Sequence, residues 1–356
     1  MSTENGLGPL LDGPIMVNMS TVERRPVDWL WPGRLAKGKL TLLIGEPDMG
    51  KSLIGTGWAA GLSRGARWPD RQVCEPGNVI IMTSEDGIND TIAPRLDAAG
   101  ADCARIHILR MARRDGVERM VTLAADLDML EAALRCHQTC LLIVDPLSAY
   151  LGDADTHRDA ALRGVLTPFA DLLERTHVAC VGIMHPPKHV ANLIYFASGS
   201  GAFTAQSRIT LGAGKDPNDD TGTRRFLVKI KGNLCGDVPT LAYRIVEQDG
   251  VPVVAWEFSP VDGVTARDVL GLTETRAERS ERKDASTFLQ ELLHAGPVSA
   301  KEIREGADAS GISWRTIERA KRDLGVTSDK AADAKLGKGS WYWTLPATKY
   351  SGSQLR

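Results

Sequence analysis

The chain has 356 residues, of which 43% are hydrophobic, and a formal net charge of −2. This is enough for one sizeable domain plus a smaller one, and it excludes binding of polyanions by bulk charge, so any nucleic-acid contact has to come from a local patch. No apolar run approaches the roughly 18 residues of a membrane span, and the N-terminus lacks a basic region followed by an apolar core. There are six cysteines, and Cys136 and Cys140 are the one close pair, with no second pair to complete a zinc site. Cys140 and Cys180 fall at or within apolar runs, as small buried hydrophobes do. A reducing, cytoplasmic setting is expected, with no membrane partner.

Residues 1–27 are polar and contain glycine and proline, which predicts a flexible arm. From residue 28 to about 212, short apolar runs alternate with longer amphipathic stretches. Strands are predicted at 40–44, 79–82, 140–144 and 178–184, each rich in Val, Ile and Leu. Helices are predicted at 52–62, 126–136 and 158–176. Strands alternating with helices imply an α/β domain with a mostly parallel sheet flanked by helices. Residues 226–231, 242–247 and 253–258 read as antiparallel strands that extend the sheet at one edge. The α/β domain then covers 28–262. Residues 263–284 are charged, a linker or in part a solvated helix. A small module spans 285–346, followed by a tail at 347–356. There is no internal repeat.

Gly45-Glu46-Pro47-Asp48-Met49-Gly50-Lys51-Ser52 fits G-x-x-x-x-G-K-[ST], with a predicted strand before it and a helix after it. Backbone N–H groups of such a loop, together with the helix N-terminus, face phosphates. Lys51 then reaches the β- and γ-phosphates of ATP, and the Ser52 hydroxyl binds Mg²⁺. Asp48 stands where a glycine is common, which predicts backbone strain or a side-chain contact there. Asp145 ends the apolar run Leu141-Leu142-Ile143-Val144 and is the expected second carboxylate of the Mg²⁺ site, acting through water. Pro146 follows, so the base that orients the attacking water has to come from elsewhere. Ser84-Glu85-Asp86 follows another strand and offers Glu85 as the base, with Asp86 second. His185 ends the 178–184 strand and fits a sensor of the γ-phosphate, or a structural histidine. Lys188 fits a phosphate or DNA contact, or a solvated side chain.

These stretches together resemble the RecA-like hexameric replicative helicase ATPases of plasmids and phages, of the RepA type and AAA_25-like. The resemblance runs from Trp29-Leu30-Trp31-Pro32-Gly33 to about Ile245. It includes Pro94-Arg95-Leu96, Asp145-Pro146-Leu147-Ser148-Ala149-Tyr150, His157-Arg158-Asp159, Ser198-Gly199-Ser200 and Lys229-Ile230-Lys231-Gly232-Asn233-Leu234. It implies a RecA-like P-loop fold, a homo-hexameric ring of subunits, and single-stranded DNA as partner. By position it marks Arg208 as an arginine finger that enters the neighbouring subunit's ATP site, and Lys231 as a second trans-acting cation. Where the family reads His-Leu-Asn-Lys, this chain reads His185-Pro186-Pro187-Lys188, and the loop after it is more apolar.

In the C-terminal module, 286–294 reads as a helix with Phe288, Leu289, Leu292 and Leu293 on one face. Ser299-Ala300-Lys301-Glu302 is a capping box that opens a second helix. A third helix runs over 314–324, with Ile317, Ala320 and Leu324 inward and Arg315, Arg319 and Arg322 on the other side. Trp341-Tyr342-Trp343 then ends a wing, and the order resembles the winged-helix tails of the same family. The module fits duplex DNA through its arginines, or docking of a replication partner protein. Trp314 is a candidate for stacking on a base. A ring-forming DNA helicase or translocase is the leading expectation. A helicase loader, a recombination accessory ATPase or an ATP-controlled DNA-binding regulator also fits.

Overall fold

The computed structural model describes residues 16–152, 159–185, 201–270, 276–294, 296–330 and 341–346. The chain divides into two compact units, Met1–Leu272 and Thr273–Arg356.

In the first unit, β1 (Trp29–Trp31) pairs with β2 (Leu35–Ala36), and β3 (Leu40–Gly45) leads into α1 (Lys51–Arg64). Then come β4 (Asn78–Thr83), a π-helical turn (Ile88–Ile92), α2 (Ala93–Ala98) and β5 (Ile106–Ile108). A hairpin of β6 (Met111–Arg114) and β7 (Val117–Met120) follows, and then α3 (Leu127–Cys136), β8 (Thr139–Asp145), α4 (Asp159–Thr176) and β9 (Ala179–Met184). After α5 (Gly201–Gln206) come β10 (Ile209–Lys215), β11 (Arg224–Gly232), β12 (Thr240–Gln248), β13 (Val251–Val261) and α6 (Ala266–Leu270).

The main sheet has nine strands in the order β13-β12-β11-β10-β3-β9-β8-β4-β5. The six from β10 to β5 are parallel, and the three beyond β10 are antiparallel. The central strands are buried on both faces, which is why they read as continuous apolar runs. Alternate residues enter two separate cores. Leu40, Leu42, Leu142 and Val144 pack with α3 and α4 through Leu130, Leu134 and Phe169. Leu43, Leu141 and Ile143 pack with α1 and α2 through Ile54, Trp58 and Leu96.

β10 is the hinge between the parallel and antiparallel parts, and its Leu-Gly-Ala-Gly run carries no strand signature. Its glycines make room for α6. A Cβ at Gly212 would lie 2.2 Å from Leu270 Cδ1, and one at Gly214 would lie 2.6 Å from Val269 Cγ1. Residues 266–270, expected to lie in a linker, therefore form a helix whose Leu270 is buried against Phe226, Val228 and Ala242. Cys180 is buried as expected, whereas Cys140 is only half-buried.

The second unit contains α7 (Arg276–Leu293), β14 (Val298–Ser299), α8 (Ala300–Ala309), α9 (Trp314–Asp323), β15 (Thr327–Lys330) and β16 (Trp341–Thr344). Its small sheet has the order β14-β16-β15. Residues 276–284, expected to be linker or solvated helix, are the first half of α7. The capping box is formed: the Ser299 hydroxyl accepts from the Glu302 N–H, and the Glu302 carboxylate accepts from the Ser299 N–H. Leu289, Leu293, Ile303, Ile317, Ala320 and Trp343 close the core, whereas Trp341 is half exposed. Among the described residues, no helix is long and apolar enough to cross a membrane.

Candidate active site

Four parallel strands deliver the candidate residues to one edge of the sheet. β3 ends in Gly45 at the phosphate loop, β9 runs into His185, β8 ends in Asp145, and β4 runs into Ser84-Glu85-Asp86. The register aligns these ends, pairing Ile44 with Met184 and Thr83 with Asp145. The spatial order β3-β9-β8-β4 is the feature that gathers them.

The loop itself is tightly framed. A Cβ at Gly45 would sit 2.5 Å from the Ala213 carbonyl oxygen, so β10 enforces glycine there. Asp48 has φ +64°, the left-handed backbone that glycine adopts without cost. The strain expected from its identity is present, and its side chain is exposed. Gly50 caps α1 with φ +74°, and a Cβ on it would meet Ile245 Cδ1 at 2.7 Å. Glu46 and Pro47 are exposed along the loop, and Met49 is buried.

Lys51 is buried, and its Nζ donates to the carbonyl oxygens of Gly45 and Glu46, both at 2.8 Å. Burial pulls its pKa down to about 8, against the opposing charges of Asp145, Asp48, Glu85 and Glu46. The lysine is thus folded onto its own loop, within the field of four carboxylates.

Asp145 is buried, and burial raises its pKa above the ordinary carboxyl value, opposed by a hydrogen bond from Ser52 and the charge of His185. Among the described residues, its buried Oδ1 has no hydrogen-bond partner. A buried carboxylate oxygen left unpaired is costly. Here it adjoins Ser52, the residue type that ligates Mg²⁺ in phosphate loops. The pair fits the magnesium site expected from the sequence, because a hydrated cation would satisfy both groups. Among the described residues, no three His, Cys, Asp or Glu side chains gather to hold a metal by themselves.

Glu85 and Asp86 separate in role. Asp86 is held by Arg95 at 2.7 Å, whereas Glu85 is exposed at the strand end and acts electrostatically on both Lys51 and Asp145. His185 is exposed beside Asp145.

Arg208 lies elsewhere. It precedes β10, and its N–H donates to the Leu40 carbonyl, at the start of the strand whose far end carries the phosphate loop. Five residues of strand separate the two ends, roughly 17 Å. Lys231 pairs with Thr210 on the neighbouring strand, so the two cations share this opposite edge. Arg322 is exposed on α9, whereas the side chains of Arg315 and Arg319 lie outside the described part. Lys188, His157, Arg158 and Ser198-Gly199-Ser200 also lie outside the described residues. Trp314 is committed to packing, with the Arg304 guanidinium 4.4 Å from its ring centre and Trp343 at 5.4 Å, so it is not the free stacking platform expected.

One site residue escaped the sequence reading, and a second stands there only within a family stretch, without a role. Tyr243 is fully buried, and its hydroxyl donates to the Met49 carbonyl at 2.7 Å. Arg95 holds Asp86. Tyr243 belongs to no local motif, and the stretch Pro94-Arg95-Leu96 does not name Arg95's partner, since both contacts are fixed by tertiary structure.

A phosphate loop between β3 and α1, an acid at the end of a nearby parallel strand and helices on both faces of the sheet define a P-loop ATPase of the RecA-like class. The model of the AAA domain family AAA_25 matches residues 13–191, half of the chain, and the protein belongs to that family. No curated protein matches the chain.

Proposed function

We propose that this ATPase is a ring-forming motor that moves on single-stranded DNA and unwinds duplex, serving replication of a plasmid, phage or integrated element. The observation that carries the reading is the placement of Arg208 and Lys231 together at the sheet edge opposite the phosphate loop. Within one chain they cannot reach its own phosphates. Next to a second subunit, they can complete that subunit's site, as an arginine finger does.

In this reading, ATP binding draws Lys51 Nζ from the Gly45 and Glu46 carbonyls onto the β- and γ-phosphates. Ser52, as direct ligand, and Asp145, through water, would hold Mg²⁺, which would supply neutralisation of phosphate charge when bound. Glu85 accepts the proton of the attacking water, and Arg95 keeps Asp86 out of that role. His185 contacts the γ-phosphate and reports its loss. The second unit acts as a winged helix in this reading, and α9, which carries Arg315, Arg319 and Arg322 in its sequence, contacts DNA. The assembly is a homo-hexamer.

ATP hydrolysis measured with and without single-stranded DNA, beside Lys51→Ala, tests this reading. Strong stimulation that vanishes in Lys51→Ala, together with unwinding of a forked duplex, is expected. Hydrolysis indifferent to DNA with no unwinding would overturn it.

A further inference from the structure

A groove of about 480 Å³ runs between α1, α2 and the outer strand β13. Its floor is apolar, with Val254, Trp256 and the half-exposed Phe258 on the β13 side. On the α1 side it is lined by Gly57 and Gly61. A Cβ at either glycine would meet nothing within 4 Å. Glycine inside a helix is disfavoured relative to alanine, and nothing in the described fold requires it at these two positions. A chain lying close over the helix would require it. Among the described residues, the indole N–H groups of Trp58 and Trp68, two further lining residues each 2% exposed, have no hydrogen-bond partner.

The groove is also charged. Arg64, Arg67 and Arg95 line it, and no acidic residue does. Arg95 is paired with Asp86. Arg64 donates to the Ala99 and Gly100 carbonyls and Arg67 to the Arg71 carbonyl, so no carboxylate neutralises either one among the described residues.

We propose that residues 1–15 of the same chain dock in this groove as an extended segment. Their chemistry is the complement of the site. They carry Glu4 and Asp12 with no lysine or arginine, and Leu7, Leu10, Leu11 and Ile15 among small residues. The exposed Met16, Val17 and Met19 continue the apolar character toward the folded domain. The segment is tethered close by. The chain enters the fold through Asp28 and β1, whose last residue Trp31 stacks on Trp68 at 4.7 Å and meets Trp58 edge-on at 5.5 Å. Such a tether supplies a high effective concentration, which favours the same chain over a second copy. Fifteen extended residues reach about 50 Å, and the groove along 252–258 of β13 needs only about 23 Å. Docking covers an outer strand whose edge is otherwise open between Pro252 and Pro260.

The test uses the full chain with a benzophenone amino acid in place of Leu11, irradiated in a mixture with ¹⁵N-labelled copies. The expected result is adducts within one copy to segments 53–69, 95–99 or 252–258. Their yield should fall about tenfold when Leu7→Asn and Leu10→Asn remove two apolar anchors, a loss within that expected for one buried leucine. The same fall is expected when Gly57→Leu and Gly61→Leu fill the groove. Adducts to another surface, adducts between light and heavy copies, or no adduct would each overturn the proposal. The arm substitutions leave the domain's own packing untouched, so the result does not depend on the groove variants folding.

Discussion

The hydroxyl of Tyr243 donates to the carbonyl oxygen of Met49 at 2.7 Å, linking residues 194 apart in sequence and tying β12 to the phosphate loop. Its ring packs on Trp256 of β13 at 5.2 Å between centres. Through this contact the antiparallel extension holds the loop's shape. Tyr243→Phe keeps the ring and removes the donor. It should destabilise the domain by about 1–2 kcal/mol, because the buried Met49 carbonyl loses its partner. ATP affinity should fall severalfold. Thermal unfolding and nucleotide titration measure the two effects, and unchanged ATP affinity would show that the loop does not depend on this bond.

Asp145 stores the opposite kind of energy. Its buried, partly unpaired carboxylate has a raised pKa, so the charged form costs stability at neutral pH and the cost is relieved as pH falls through the folded-state value. Asp145→Asn should therefore stabilise the nucleotide-free protein by on the order of 1 kcal/mol, read as a higher unfolding temperature. Hydrolysis should be lost at the same time. A drop in stability would show that the carboxylate is satisfied without a cation.

Glu85 and Asp86 can be told apart. Glu85→Gln should lower kcat by about 10²–10⁴-fold while ATP binding survives, the signature of a lost general base. Asp86→Asn breaks the Arg95 pair and should reduce activity far less. If the two variants behave alike, or if Asp86→Asn is the worse, the assignment is reversed.

Arg208→Ala should cut kcat by about 10³–10⁵-fold with little change in ATP affinity, as expected of a finger that acts on the transition state. Mixing it with Lys51→Ala provides the decisive arm. The first variant keeps an intact phosphate loop and the second keeps an intact arginine. Mixed assemblies should regain activity that neither variant has alone, and a mixture as inactive as its parts would refute action across subunits.

Acid should weaken the β6–β7 hairpin through Asp126. Both its oxygens accept from Arg119 at 2.7 Å, and it also accepts from the Thr122 N–H at 2.9 Å. Burial pushes this carboxyl up, but the Arg119 and Thr122 hydrogen bonds outweigh it and leave the pKa lowered. A lowered folded-state value means the stabilisation is full above the unfolded value near 3.8 and is lost as pH falls through the folded one. Asp126→Asn should cost about 1 kcal/mol at pH 7 and make stability less steep in acid. Urea midpoints across the acid range, compared between the two proteins, check this.

Much of this molecule follows from local pattern. β3, β4, β8 and β9 lie within a residue or two of their predicted spans, because strands buried on both faces must be apolar throughout. The phosphate loop, the strand-end Asp145 and the Ser299 capping box need only short-range geometry, so their residues announce them. Other features have no such signal. β10 was missed because its glycines answer to Leu270 and Val269, 55 or more residues further on. Tyr243 looks like an ordinary strand residue until its partner is in place, and the stretch that includes Arg95 does not name Asp86 as its partner. Strand order is the clearest case. The chain lists β3, β4, β8 and β9 in sequence, but the sheet seats β9 and β8 between β3 and β4. That order brings His185, Asp145 and Glu85 to Lys51, while the antiparallel pairing of β10 with β11 places Lys231 opposite Thr210, two residues from Arg208. Local propensity can specify each strand, but which strands become neighbours is decided by how two apolar faces are buried at once, and that is a property of the whole sheet.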